Sequence, residues 1–386
     1  MYTGARFLQT CHELRVVDVR KNTRVVQPVI SKVVLSSFLA LRENLSTDLL
    51  KPVQFGLYLL LLLGLSLVCY RRAIADDFDR YVYEAIVRGR AQSLEEVYNI
   101  VKHESPRAEA SSVLDSPQHL RELEPLYAIR PLYIEIVSVL SGIFSIQNAI
   151  NFVSAASFFA IGVVVLIWTL KPLLSALLMV FYPVLLLGRA GTPDALSAFL
   201  VILALWLIQD RSRPILALCV LFVSLGVRTD NVLLLLAALA WLLWDKRIAP
   251  YQAGLLAALG IIVVLGINRW AGNYGWIVLF RYSFVSGRYP ARLPHALTFR
   301  EYFSALISGM TVIVTRVSLW LLLGILAYRC QRSRVLVVCA SAVAAHFLLF
   351  PSPEDRYLVW AYIVVGIFVI RSFGENRFHQ RTALAG

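Results

Sequence analysis

Acidic side chains are scarce in this 386-residue chain, 24 Asp and Glu against 37 Lys and Arg, and charged residues together make up only 16%. Hydrophobic residues supply 59%, and the mean hydropathy is +0.69. That balance leaves too little polar surface to keep a globule in water, which excludes an ordinary soluble domain and calls for lipid as the solvent. Cysteine is sparse as well. Cys11, Cys69, Cys219, Cys330 and Cys339 are scattered and odd in number, so neither a disulfide framework nor a zinc spacing emerges. There is no basic and aromatic surface of the kind nucleic-acid binders use. The net charge of +13 sits in short clusters between apolar segments, where positive-inside topology and anionic headgroups account for it. No internal repeat is visible, and no cleavable signal peptide is expected. The first long apolar run, Pro52 to Tyr70, follows a mostly basic and polar stretch and should remain as a span.

What is present is a series of apolar segments, each approaching the roughly 20 residues that cross about 30 Å of hydrocarbon. After Pro52 to Tyr70 they run at about Ile150 to Leu170, Leu173 to Leu187, Ala195 to Ile208, Pro214 to Leu225 and Val232 to Trp244. Gln252 to Ile267, Ser304 to Tyr328, Val335 to Phe350 and Leu358 to Ile370 complete the series. The expected fold is therefore all-α, a polytopic transmembrane helical bundle of about ten spans. Residues 1–50 form a separate basic cytoplasmic segment. Within it, Val25 to Leu41 reads either as an amphipathic helix on the membrane surface or as a loosely ordered leader. Residues 51–386 form the membrane domain, with a small helical first outer loop at 71–149 and a second at 269–303. Pro131 to Ser145 is expected to lie at the interface without crossing.

Charge sets the orientation. The basic turns at Asp210 to Arg213, Asp245 to Arg247, Arg329 to Arg334 and Arg371 to Arg381 alternate with turns holding a lone arginine beside an acid. With the basic clusters cytoplasmic, both termini are inside. The isolated charges then share the outer side: Asp76, Asp77, Asp79 and Arg80; Arg189 and Asp194; Arg228 and Asp230; and Glu354, Asp355 and Arg356. Ionisable groups at the ends of apolar helices are costly, which makes them functional candidates. Each could instead simply cap its helix, as Asp194 would at the positive end of its own. Their common side favours a shared site. These residue types suit transfer of a group from a phosphate-linked donor to a hydroxyl, with a carboxylate as proton acceptor and arginines on the phosphate. Two or three carboxylates could alternatively hold a divalent cation, magnesium or manganese.

Three stretches resemble a known family: Ala75-Asp76-Asp77-Phe78-Asp79-Arg80-Tyr81, Arg130-Pro131-Leu132-Tyr133, and Gly188-Arg189-Ala190-Gly191-Thr192-Pro193-Asp194-Ala195-Leu196. In that order they resemble the GT-C superfamily, polytopic glycosyltransferases that use polyprenyl-phosphate sugars, such as the lipid A aminoarabinose transferase and the protein O-mannosyltransferases. Beyond Gln209 the resemblance rests on Gly226 to Asp230 and Glu354 to Tyr357. It implies that Asp76 is the catalytic carboxylate with Asp77 beside it. Arg228, Arg356 and Arg189 become candidates for the donor phosphate, and Arg316, mid-way along an apolar segment, either reaches into the donor groove with them or snorkels at a break in that segment. Asp194, Glu354, Asp79, Arg130 and Tyr357 become candidates for acceptor or metal contact, Asp76 and Asp194 being the metal ligands if one is used. The implied partners are a polyprenyl-phosphate sugar, a lipid, glycan or protein acceptor, and membrane lipids. Family members often carry a large soluble C-terminal domain, so acceptor recognition here is expected from the two outer loops.

The second outer loop carries Arg269, Trp270, Tyr274, Trp276, Arg281, Tyr282, Arg288, Tyr289 and Arg292, which read either as an interfacial belt or as sugar-stacking and anion-binding groups. His346, near the outer end of its span, either approaches the site or is a satisfied core histidine, and His103 and His119 are expected to be surface residues of the first loop. The alternative function is a polytopic transporter or lipid flippase. The charge pattern makes a direct prediction: alkaline phosphatase fused after Asn231 should be active, and fused after Arg247 inactive. The reverse pattern would overturn the assigned orientation.

Overall fold

The computed structural model describes residues 50–74, 78–104, 115–285, 289–352 and 354–383; at 50–51, 315–319 and 374–383 it describes the backbone only. Asp76, Asp77 and the stretch from Val25 to Leu41 lie outside the described residues. The chain divides into two units, 1–60 and 61–386. The described part of the first is the N-terminal portion of helix α1 (Leu50–Arg71), and the second holds all the later elements.

Among the described residues every regular element is helical, as the apolar runs predict. After α1 come α2 (Phe78–Arg88), α3 (Leu94–Glu104), α4 (Pro117–Tyr127) and α5 (Pro131–Leu140). The next are α6 (Ile146–Thr169), α7 (Pro172–Met179), α8 (Tyr182–Arg189), α9 (Asp194–Gln209), α10 (Pro214–Leu225) and α11 (Val232–Trp244). The chain continues through α12 (Pro250–Trp270), α13 (Trp276–Phe280), α14 (Phe299–Gln331), α15 (Arg334–Leu349) and α16 (Val359–Ala383). Proline opens α4, α5, α7, α10 and α12, where its fixed φ suits the first turn and its missing N–H costs nothing. Side chains close other starts. Ser145 accepts from the Asn148 amide at the head of α6, and Thr298 and Glu301 form a capping box at the head of α14.

Three helices, Pro52–Arg71, Ile146–Thr169 and Pro250–Trp270, are long and apolar enough to cross a membrane; α7 and α8, bent by 67° at their junction, make a fourth if they are one span. The expectation of about ten spans is thus met only in part. The segments at 195–208, 214–225, 232–244 and 335–350 all form helices, but of 16, 12, 13 and 16 residues. At 1.5 Å per residue these reach roughly 18–24 Å. The first three are bounded by the polar turns at 190–193 and 226–231. Helix α5, ten residues long, is too short to cross, as expected of an interfacial helix.

Two layers of packing hold the polar turns in place. Helix α9 lies between α6 and α10, α11 packs on α12 and α15, and α14 packs on α16. Helices α2, α3 and α4 form a small three-helix unit around Tyr81, Val82, Ala85, Val101, Leu120 and Leu123, with Tyr274, Leu279 and Tyr282 of the second outer loop packed against it. That loop is tied to α4 by polar contacts too: the Tyr289 hydroxyl donates to Asp115 at 2.9 Å and the Ala291 amide to Glu122 at 3.3 Å. His119 is therefore buried rather than a surface residue, its Nδ1 3.0 Å from Asp115 and its ring against Tyr289; His103 is exposed as expected. Sequence alone does not show that these two segments pack on each other.

Gly309 of α14 sits where a Cβ would lie 2.4 Å from the Pro351 carbonyl oxygen, a backbone atom that cannot swing away. Gly309→Ala should therefore destabilise by about 1–3 kcal/mol through overpacking. Gly254→Ala, where a Cβ meets nothing within 4 Å, should be close to neutral. Thermal unfolding of the two variants in detergent separates them, and equal melting temperatures would refute the contact.

Candidate functional site

The site is built from short polar turns at the ends of α9, α10, α15 and α16. Asp194 opens α9, where a carboxylate meets the positive end of the helix dipole. The turn before it is held by Ser154 of α6, whose hydroxyl donates to the Ala190 carbonyl at 2.5 Å, and the Thr192 hydroxyl donates to Asp194 at 2.8 Å. Gly191 in that turn is required by close approach. A Cβ there would meet the stem of Arg80 at 3.0 Å.

Arg228 follows α10 and is 8% exposed. One of its terminal nitrogens donates to Asp194 on α9. Its Nε and other terminal nitrogen donate to the two oxygens of Asp230 at 3.0 and 2.6 Å, a bidentate fork. His346 of α15 approaches the same Asp230 carboxylate with Nε2 at 3.1 Å. The guanidinium carbon also lies 4.8 Å from the centroid of the Tyr357 ring, within cation–π range.

A second limb meets the first across that ring. Arg356 lies 5.1 Å from the Tyr357 centroid and pairs with Asp79 of α2 and with Glu354. Asp79 also accepts from the Tyr127 hydroxyl at 2.6 Å. Arg130, the residue before α5, stacks on Tyr83 and Tyr127 at 5.6 and 5.4 Å and makes no ion pair among the described residues. Stacking occupies the faces of its guanidinium and leaves the in-plane N–H donors for another group. Arg80 is 7% exposed, and its Nε has no hydrogen-bond partner among the described residues.

Asp194, Ser197, Arg228, Asp230, Asn231, His346, Arg356 and Tyr357 line one cavity of about 30 Å³. That volume admits roughly two waters and no sugar. Burial would raise the Asp230 carboxyl, but Arg228 and the hydrogen bond from His346 outweigh it and hold it far below the usual carboxylate range. Asp79 behaves alike: burial is outweighed by Arg356, Tyr127 and Arg130, and its pKa is lowered. Glu354 goes the other way. Burial and the nearby Asp79 and Asp194 raise it against the opposing pull of Arg356. Burial pushes the Tyr357 phenol to about 12.

Of the residues the sequence singled out, Asp194, Arg228, Arg356 and Tyr357 line the cavity, and Asp79 and Glu354 pair with its Arg356. Arg130 is coupled to them by charge, being influenced by Arg228, Asp79 and Asp194. Arg189 departs from expectation. It is not a lining residue; its Nε donates to the Arg72 carbonyl at 2.8 Å, and its own carbonyl accepts from the Ile74 amide at 3.0 Å. It braces the chain entering the first loop because α8 ends beside the end of α1. Asp76 and Asp77, and the side chain of Arg316, lie outside the described residues. No group of three or more His, Cys, Asp or Glu that could hold a metal occurs among the described residues. His346, read either as a core histidine or as a residue able to approach the site, lines the cavity, whereas Tyr83 and Tyr127 were not singled out, since only the arginine or acid beside each reveals a polar task. No family model matches the chain, and no curated protein or solved structure is significantly similar to it.

The two depressed carboxyls make stability acid-sensitive. Their contribution is complete above the unfolded Asp value near 3.9 and is lost as pH falls through the lower folded values. Asp79→Asn should cost about 2 kcal/mol at pH 7, below the range for fully buried pairs because this one is partly solvated, and should flatten the acid limb. Unfolding midpoints from pH 7 to 3 test it. An acid limb identical to that of the unaltered protein would exclude the Asp79–Arg356 pair.

Proposed function

We propose that this chain is a membrane glycosyltransferase that moves a sugar from a polyprenyl-phosphate donor to an acceptor hydroxyl on a glycolipid, polysaccharide or protein. It works in the plasma membrane of a bacterial cell, with the site facing the periplasm or exterior, and it belongs with the GT-C type of bundle. The observation that carries the reading is the convergence of Arg228, Arg356 and Asp194 on one cavity, with the two arginines over the one Tyr357 ring, Asp79 paired to Arg356, and Arg130 stacked on Tyr83 and Tyr127. Guanidinium groups in a water-poor place suit a phosphate whose negative charge grows as it leaves.

In the reaction the acceptor oxygen attacks the anomeric carbon as the bond from that carbon to the phosphate oxygen breaks, inverting the centre. The hydroxyl proton passes to Asp76. Asp79, Asp194 and Asp230 are each committed to an arginine, and the base's role falls to Asp76 because the family resemblance implies it. Arg130, whose in-plane donors are free of ion pairs among the described residues, meets the phosphate first. The phosphate oxygens then compete with Asp194 and Asp79 for Arg228 and Arg356, which widens a cavity otherwise too small for a sugar.

The second reading, a transporter or lipid flippase, is favoured by the 67° bend between α7 and α8, a broken span of the type that transporters use. One experiment separates the two. Purified protein is incubated with radiolabelled polyprenyl-phosphate sugars and membrane extract, with and without chelator. The transferase reading expects labelled product from one donor, and loss of roughly 10²-fold or more in rate for Asp76→Asn with its melting temperature unchanged. No product from any donor, or full activity in Asp76→Asn, would sink it; the chelator arm reports whether magnesium or manganese takes part.

A further inference from the structure

His346 takes no part in the transfer step, yet it touches the site at its most constrained point. Its Nε2 lies 3.1 Å from Asp230 Oδ2, the same oxygen that accepts from Arg228 at 2.6 Å. Its ring stands 5.5 Å from that of Tyr357, on which Arg228 stacks, and 6.2 Å from that of Phe350. The other acid in contact with Arg228, Asp194, fixes a single nitrogen. Asp230 fixes two, so the plane of the guanidinium is tied to the plane of the Asp230 carboxylate. Asp230 sits on a three-residue 3₁₀ turn, Thr229–Asn231. His346, from another helix, adds a third contact to that carboxylate.

We infer that His346 is a positioning residue: through Asp230 it sets the orientation in which Arg228 presents its donors to the phosphate of the donor lipid. This rests on the transferase reading for the identity of the ligand. His346 acts by one hydrogen bond across two elements, α15 and the turn before α11, and touches no reacting atom. The role requires a donor at the position of Nε2, not a ring.

The test compares two substitutions in full-length protein. His346→Phe keeps the ring and its contacts with Tyr357 and Phe350 but removes the donor; His346→Gln places an amide N–H at a similar reach. Affinity for farnesyl phosphate is measured by calorimetry in detergent, with farnesol and inorganic phosphate as separate arms. Binding of farnesyl phosphate should weaken about tenfold in His346→Phe, the scale of a lost hydrogen bond to a charged group, and return to within about twofold in His346→Gln. In an Asp230→Asn background the two substitutions should no longer differ. Melting temperatures identify folded variants, and His346→Leu carries the same expectation where His346→Phe does not fold. Unchanged affinity in His346→Phe, equal loss in both substitutions, or a difference that persists without Asp230 overturns the positioning role alone. Failure of the unaltered protein to bind farnesyl phosphate in preference to farnesol overturns the transferase reading and this role with it.

Discussion

A nearly buried guanidinium with water withdrawn from it must be surrounded by charge of the other sign, and Arg228 imposes that demand on everything near it. An unpaired charge at such depth costs several kcal/mol. Asp194 from α9 and Asp230 from the turn before α11 meet the demand directly, while the Tyr357 ring before α16 meets it through its π face. His346 of α15 then orients one of the carboxylates. One cation therefore ties four separate parts of the bundle to a common point. Helices too short to complete a conventional crossing are anchored at the ends where they stop.

The same logic, less deeply buried, repeats at Arg356. One partner, Glu354, is a near neighbour in sequence, but the other, Asp79 of α2, comes from the opposite end of the chain, and Tyr127 of α4 steadies that acid. Tyr357 lies between the two arginines and is attractive to both. Two like charges near one ring are tolerable only because each brings its own carboxylates. The result is a cluster whose charges are nearly balanced within the protein, and a cavity correspondingly closed. A ligand that enters must offer oxygen atoms at least as good as those of Asp194 and Asp79, and phosphate does so with bidentate geometry and greater charge. Selectivity for phosphate over neutral lipid would then arise from competition rather than from an empty basic pocket.

The segments 78–127 and 269–303 support this cluster on the side of its acid Asp79. The three-helix unit of α2, α3 and α4 presents Asp79 and Tyr127 on one side and holds the second loop through Asp115, Glu122 and the buried His119 on the other. Substitutions that loosen the second loop thus act on the site through α2 and α4, without touching an arginine.

The amino-acid sequence by itself determined the helical class, the need for lipid, the helix starts marked by proline and serine, and the candidacy of Asp194, Arg228, Arg356 and Tyr357. Each of these is local information: apolar run length, a fixed φ, an isolated charge at a helix end. Only the tertiary structure decided which charges meet. The Asp194–Arg228 pair spans 34 residues and the Asp79–Arg356 pair 277, and no periodicity encodes a contact at such separation. It placed Arg189 against the backbone at Arg72 and Ile74, buried His119 against Tyr289, and set His346 beside Asp230. A side chain's task in this protein is set by the group it faces, and facing groups are fixed by packing between helices rather than by the order of residues along one.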